Sequence, residues 1–310
     1  MTINNTNSIV PPYLVKGDLI EIIAPARYVT QEDINFSIKL VEKAGFKVKI
    51  NSSVYQQHNI FGGTLLSRSN NLQNALDNSE SKAILFARGG YGTIQIIDKI
   101  NFIQFKNSPK WLIGFSDITV LLSHIYSVFN IQSIHGPMAF NFKRTNLNNL
   151  NALFDVLQGQ SKNLKCPSSK FNKTGSASGT LFGGNLSVLC SLIGSRSFPL
   201  NDAKIVFFIE DVDEYLYHLE RMIYTLDRCG FFNKVQGLII GEMKNILDNE
   251  IKFGKNINNL ILDIVDKYDF PVCFDFPFGH NRNNTPLVFG ANVKLEVNKF
   301  DTNLYFHNEY

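Results

Sequence analysis

Apolar runs that end in turn residues recur through the first half of the chain. "LIEIIAPA" (19–26) reads as a buried strand closed by a proline turn. In "TQEDINFSIKLVEKAG", Thr30 and Asp33 have capping-box spacing and Gly45 is a stop, which predicts a helix between them. "FKVKI" (46–50) alternates like a strand. A loop around "FGGT", a helix over 69–77 and the strand "AILFA" (83–87) follow. This order predicts a parallel sheet with helices on both faces. The pattern then continues. "WLIG" (111–114) is a short buried strand, and Ile118, Leu121, Leu122, Ile125 and Phe129 keep helical spacing after it. Ser116 and Asp117 therefore fall on a strand-to-helix turn, at the carboxyl edge where doubly wound sheets bind ligands.

The pattern breaks near residue 160. "QGQSKNLKCPSSKFNKTGSASG" is polar and rich in Ser, Lys and Gly, and reads as a linker over 161–178 between domains at 1–160 and 179–310. The second domain opens with the strand "KIVFFIE" (204–210). A helix with the stripe Leu216, Leu219, Met222, Ile223 and Leu226 comes next, then the strand "VQGLIIG", a helix near 256–267 and a strand-rich end.

Composition narrows the classes. A chain of 310 residues with 44% hydrophobic positions supports two packed cores. The net charge of +3 is small, and no stretch concentrates Lys and Arg as a phosphate-binding stripe requires, so no nucleic-acid partner is expected. Cys166, Cys190, Cys229 and Cys273 include no C-x-x-C pair, which speaks against a zinc site or disulfide framework and fits a reducing compartment. The N-terminal residues lack a signal-peptide pattern, and no 18-residue apolar run implies a membrane span. A cytoplasmic protein is expected, with no membrane partner.

The strand-to-helix turn admits two readings. Ser116 or Asp117 caps the helix, or Ser116 is a nucleophile on a sharp elbow, with Gly114 giving the turn room. The full G-x-S-x-G pattern is absent, because Ile118 stands at the second glycine position. "ARGGYGT" (87–93) follows another buried strand. Its paired glycines suit either a tight turn or backbone donors aimed at an anion, with the Gly90 N–H the best placed. Glu210 ends an apolar strand, a position from which a half-buried acid reaches a site edge, while Asp211 and Asp213 suit the N-terminus of the next helix. No histidine stands at ligand spacing from these acids, so no metal is expected. Among six histidines, His58 lies in a loop, His307 near the end, His218 on a helix with an acidic face and His124 on the helix after Ser116. His135 and His280 each follow a strand and suit a cleft. Arg88 is a candidate for gripping a substrate carboxylate or for bracing the sheet edge.

Together these segments resemble the LD-carboxypeptidase family of serine peptidases, which includes murein tetrapeptide carboxypeptidases and microcin-immunity peptidases. The resemblance rests on "LVKGDLIEIIAPA", "GGTLLSRSNNLQNAL", "ARGGYG", "IGFSDITVLL", "IHGPM", "LFGGNLSVL", "FIEDVDE" and "FGHNRNNTPLVFGANVKL", in that order. It implies an α/β fold: a flavodoxin-like N-terminal domain, similar to class I glutamine amidotransferases, plus a smaller C-terminal α/β domain. It implies Ser116 as nucleophile, His280 as general base and Glu210 as the acid that orients it, with the N–H groups of Gly90 and Asp117 as oxyanion hole. The site would then form between domains. The implied substrate is a muropeptide whose terminal D-Ala is joined to an L-centre of meso-diaminopimelate. No cofactor is implied, and a homodimer is expected. "TPLVFG" departs from the family pattern by lacking its second proline. Two rivals remain at this stage: a microcin-immunity-type peptidase cleaving acyl-adenylate peptides, and a non-catalytic muropeptide-binding relative.

Overall fold

The computed structural model describes residues 8–160, 162–200 and 204–306. Residues 1–7 and His307 lie outside these, so the reading of the N-terminus has no structural counterpart. Two compact units emerge, one from 8–161 with 282–289 and one centred on 162–281 with the chain after 290.

The first unit follows the predicted alternation. It comprises β1 (Leu19–Ile23), α1 (Gln31–Lys43), β2 (Lys47–Ile50), α2 (Leu65–Asp77), β3 (Ser81–Phe86), α3 (Ile103–Asn107), β4 (Trp111–Gly114), α4 (Thr119–Phe129), β5 (Ser133–His135) and α5 (Leu147–Leu157). The five strands are parallel in the order β2-β1-β3-β4-β5, the flavodoxin-like doubly wound order. The side chain of Thr30 accepts from Asp33 N while Asp33 accepts from Thr30 N, so the capping box forms as spaced. α2 starts at Leu65 rather than near 69, because Thr64 accepts from Ser67 N and supplies the cap. β3 and β4 are buried along nearly their whole length, as expected of central parallel strands covered on both faces.

The second unit contains β6 (Leu164–Pro167), β7 (Gly175–Asn185), α6 (Leu186–Leu192), β8 (Ile205–Val212), α7 (Leu216–Arg228), β9 (Val235–Lys244), α8 (Ile257–Val265) and β10 (Val272–Cys273). The stripe of α7 is buried at each of its five positions. The chain then contributes β11 (Leu287–Phe289) to the first unit, antiparallel to β5, before closing with β12 (Asn292–Val297) and β13 (Asp301–Phe306). The second sheet runs β10-β9-β8-β7-β12-β13-β6, parallel from β10 to β7 and antiparallel beyond.

Two sequence expectations change here. The 161–178 stretch is no linker: it holds β6 and the start of β7. The glycine that closes the quoted stretch marks a close approach of neighbouring backbone, since a Cβ on Gly179 would lie 2.0 Å from Lys204 O. The boundary also moves, since 282–289 belongs with the first unit. Among the described residues no helix is long and apolar enough to cross a membrane.

Candidate active site

Ser116 sits immediately beyond β4 on a 3₁₀ turn that runs into α4. Its backbone has φ +59°, a conformation that serine adopts rarely and at a cost of about 1–3 kcal/mol, persisting where the surroundings impose it. Gly114 makes the turn sterically possible, because a Cβ there would stand 2.8 Å from Ile118 Cγ2. The capping reading fails. The residue before α4 is Ile118, without a side-chain cap, and the carboxylate of Asp117 turns elsewhere: its Oδ2 accepts from Thr93 N at 2.9 Å and Thr93 Oγ1 at 2.7 Å.

That contact ties the serine turn to the "RGGYGT" loop. Burial pushes the Asp117 carboxyl upward, opposed by its hydrogen bonds from Thr93 and Gly92 and by the charge of Arg68. Arg68, 1% exposed, donates to Pro25 O and Gly92 O and so clamps the same loop from the other side. Gly89 lies against the serine, with its Cβ direction only 3.3 Å from Ser116 Oγ. Gly90 has φ +105° and is exposed. A Cβ on Gly90 would come 2.2 Å from Arg27 Cδ, so Gly90→Ala meets both backbone strain and a clash. If its N–H stabilises an oxyanion, this substitution lowers kcat by about 10²–10³-fold, measured in steady-state assays.

In the second unit Glu210 is fully buried, and its Oε2 lies 2.6 Å from His280 Nδ1. The strand does not stop at Glu210 but runs on to Val212; Glu210 falls at a register break, opposite the two residues of β9 between Ile240 and Met243. This irregularity aims the acid without ending the strand. Burial alone would lower the His280 pKa. The charge and hydrogen bond of Glu210, with the charge of Asp211, outweigh it and leave the pKa raised, while Lys244 pulls the other way. Lys244 Nζ also donates to His280 O at 2.6 Å, fixing the histidine's backbone.

Asp211 and Asp213 do not cap α7, whose N-cap is Tyr215. Asp211 instead accepts from Asn185 Nδ2 and from Ser187 N at the start of α6, and Asp213 accepts from Asn245 Nδ2. Burial and the charge of Glu210 push the Asp211 carboxyl up to about 7. Three further histidines are engaged in packing or pairing of their own. His135 is fully buried with its ring edge-on to Phe115, which removes it as a cleft residue. His124 packs against Phe102 and Phe129, and His218 pairs with Glu214. Arg88 is half-buried, its Cζ 4.2 Å from the Phe140 ring centroid.

Each unit carries a chemically distinctive feature. One holds a strained serine beside a glycine loop, and the other holds a buried carboxylate hydrogen-bonded to an imidazole. Their chain order, Ser…Glu…His, is one of several compatible with a hydrolytic triad.

The chain resembles known proteins along most of its length. Residues 20–136 match the LD-carboxypeptidase N-terminal domain and residues 178–295 the LD-carboxypeptidase C-terminal domain. A probable murein peptide carboxypeptidase of Bacillus subtilis is 28% identical over 298 residues, covering 93% of this chain and 91% of that protein. The murein tetrapeptide carboxypeptidase of Pseudomonas aeruginosa is 25% identical, covering 90% and 94%. The crystal structure of muramoyltetrapeptide carboxypeptidase from Oxalobacter formigenes superposes with a TM-score of 0.84 at 27% identity, covering 94% of this chain and 99% of that one. MccF in complex with glutamyl sulfamoyl guanosine shares the fold at 19% identity, with a TM-score of 0.86 and 97% and 99% coverage.

Proposed function

Since the chain belongs to the LD-carboxypeptidase family, we propose that it is a serine-type LD-carboxypeptidase that removes the terminal D-Ala from muropeptide tetrapeptides, in the recycling of peptidoglycan. The observation that carries this reading is the pairing of Glu210 Oε2 with His280 Nδ1 at 2.6 Å in a chain that carries Ser116 on a strained strand-to-helix turn. A nucleophilic hydroxyl needs a base, and a base needs an orienting acid.

In the proposed mechanism His280, neutral at Nε2, takes the Ser116 proton as Oγ attacks the carbonyl of the meso-diaminopimelate–D-Ala bond. The negative charge that develops on the carbonyl oxygen meets the N–H groups of Gly90 and Asp117. The C–N bond breaks, His280 returns the proton to the departing amine of D-Ala, and the peptidyl group remains esterified to Ser116. Water, deprotonated by His280, then releases the shortened peptide and restores the hydroxyl. Glu210 holds the Nδ1 proton throughout and balances the imidazolium. Asp117 serves twice in this scheme, lending its own N–H and holding the Gly90 loop through Thr93. In this proposal the enzyme acts in the cytoplasm, with a small peptide as its partner.

The test is mass spectrometry of L-Ala-γ-D-Glu-meso-diaminopimelate-D-Ala incubated with the protein, beside the isomer ending in L-Ala. Loss of alanine from the first peptide alone is the expected result; cleavage of neither overturns the reading. The likeness to MccF supports one alternative substrate, an aminoacyl sulfamoyl nucleoside, and release of the amino acid from that compound, with no alanine released from the tetrapeptide, would favour it.

A further inference from the structure

The carboxyl edge of the first sheet carries a charge pattern that the hydrolytic residues leave unused. The strand order β2-β1-β3-β4-β5 reverses direction between β1 and β3, and doubly wound sheets bind ligands at this switch point. The loops that leave these two strands carry Arg27 and Arg88. They are joined directly, since Arg27 N donates to Gly89 O at 3.3 Å and the Arg27 side chain packs along Gly90. A third guanidinium comes from the segment after β5. Phe140 N donates to Ala87 O at 2.9 Å, which lays this segment along the end of β3. Arg88 and Arg144 then address the same Phe140 ring, with Cζ 4.2 and 6.0 Å from its centroid.

Three like charges gathered around one loop repel each other. The neighbouring groups do little to neutralise them. Asp33 bears on Arg88, but its Oδ2 is engaged by Thr30 N in the capping box, and Tyr28 is the other group whose charge favours the Arg88 guanidinium. Among the described residues none of the three guanidiniums makes an ion pair with a carboxylate, and Arg27 Nε is buried without a hydrogen-bond partner. Burial and the charges of Arg27 and Arg144 lower the Arg88 pKa, as expected of a cation held among cations. Such an arrangement is stabilised when an anion arrives.

We propose that Arg27, Arg88 and Arg144 form a carboxylate-binding subsite beside the Gly90 loop, and that this subsite selects peptide substrates by a free carboxylate. The inference rests on the peptidase reading above and extends it with two arginines that no local sequence pattern marks. Muropeptides offer two accessible sources of the same chemistry, the terminal carboxylate of D-Ala and the α-carboxylate of γ-linked D-Glu. Whichever of the two occupies the subsite is held in the ground state and in the transition state alike, so the subsite acts on KM.

The experiment compares three peptides: the tetrapeptide, its C-terminal amide, and the form with the D-Glu α-carboxylate amidated. Each is assayed with the parent protein, Arg144→Gln and Arg27→Gln. Arg144 is exposed, so its replacement spares the core, and the amidated substrates probe the subsite in an unaltered protein. With the parent protein, one amide is expected to raise KM about tenfold with kcat within about twofold, as for loss of one charge-assisted contact. Which amide does so identifies the carboxylate. In Arg144→Gln and Arg27→Gln, KM for the free acid rises by about the same factor and the preference over that amide shrinks. Turnover in which both variants keep the full preference, or in which the parent protein shows none, overturns the subsite while leaving the peptidase reading intact. Absence of any turnover by the parent protein overturns both.

Discussion

Ser116→Ala is expected to lower kcat for D-Ala release by about 10⁶-fold while leaving the dissociation constant of the tetrapeptide within about threefold. In the proposed mechanism the hydroxyl supplies the atom that attacks, and no other group of the turn replaces it. Binding survives because the glycine loop is held independently of Oγ, by Arg68 on Gly92 O and by Asp117 on Thr93. The exchange also removes nothing that the fold needs: the hydroxyl caps no helix, and alanine is the smaller side chain at a half-buried position. D-Ala release followed by chromatography, with calorimetric titration of the peptide, reads the two quantities separately. A variant that keeps even one per cent of parental kcat assigns the nucleophile elsewhere.

Glu210→Gln is expected to cut kcat by about 10⁴-fold, the order seen when a triad acid becomes an amide and the imidazole loses its working tautomer. The pH dependence adds a signature of its own. In the proposed mechanism His280 must be neutral to accept the serine proton, so activity is expected to rise with pH through its pKa. The charge of Glu210 and its hydrogen bond raise that pKa against the lowering effect of burial. Removing them lowers it, and the acidic limb of the residual activity moves to lower pH. Asp211 and Lys244 remain to set the new position, Asp211 raising and Lys244 lowering it. A profile of kcat/KM against pH for both proteins checks the direction, and a limb that stays in place means that Glu210 does not control the base.

Much of the first unit is legible in the sequence because its signals are local. Thr30 and Asp33 make the cap that their spacing announces, β3 and β4 are buried as their unbroken apolar runs require, and Gly114 sits where the elbow would otherwise clash. The same holds for the stripe on α7. What escaped depends on partners far along the chain. The Gly- and Ser-rich start of β7 lacks the β-branched residues that mark a strand; it becomes one because β12 pairs with it, while β8 pairs with the later part of the same strand. β11 is three residues long, and only its pairing with β5 places it in the first unit. At the site, the candidate triad residues stood out through the family resemblance, whereas the side-chain role of Asp117 did not, because its partner Thr93 lies 24 residues earlier in the chain. Arg27 and Arg144 are isolated arginines in the sequence and become neighbours of Arg88 only through the sheet edge and Phe140.

The most direct measurement is peptide mapping after inactivation with a fluorophosphonate, taken at several time points alongside D-Ala release. The account requires one adduct per chain, on the peptide containing Ser116, accumulating in step with the loss of activity. Inactivation with the adduct on another residue, or full modification of Ser116 with D-Ala release intact, would contradict it.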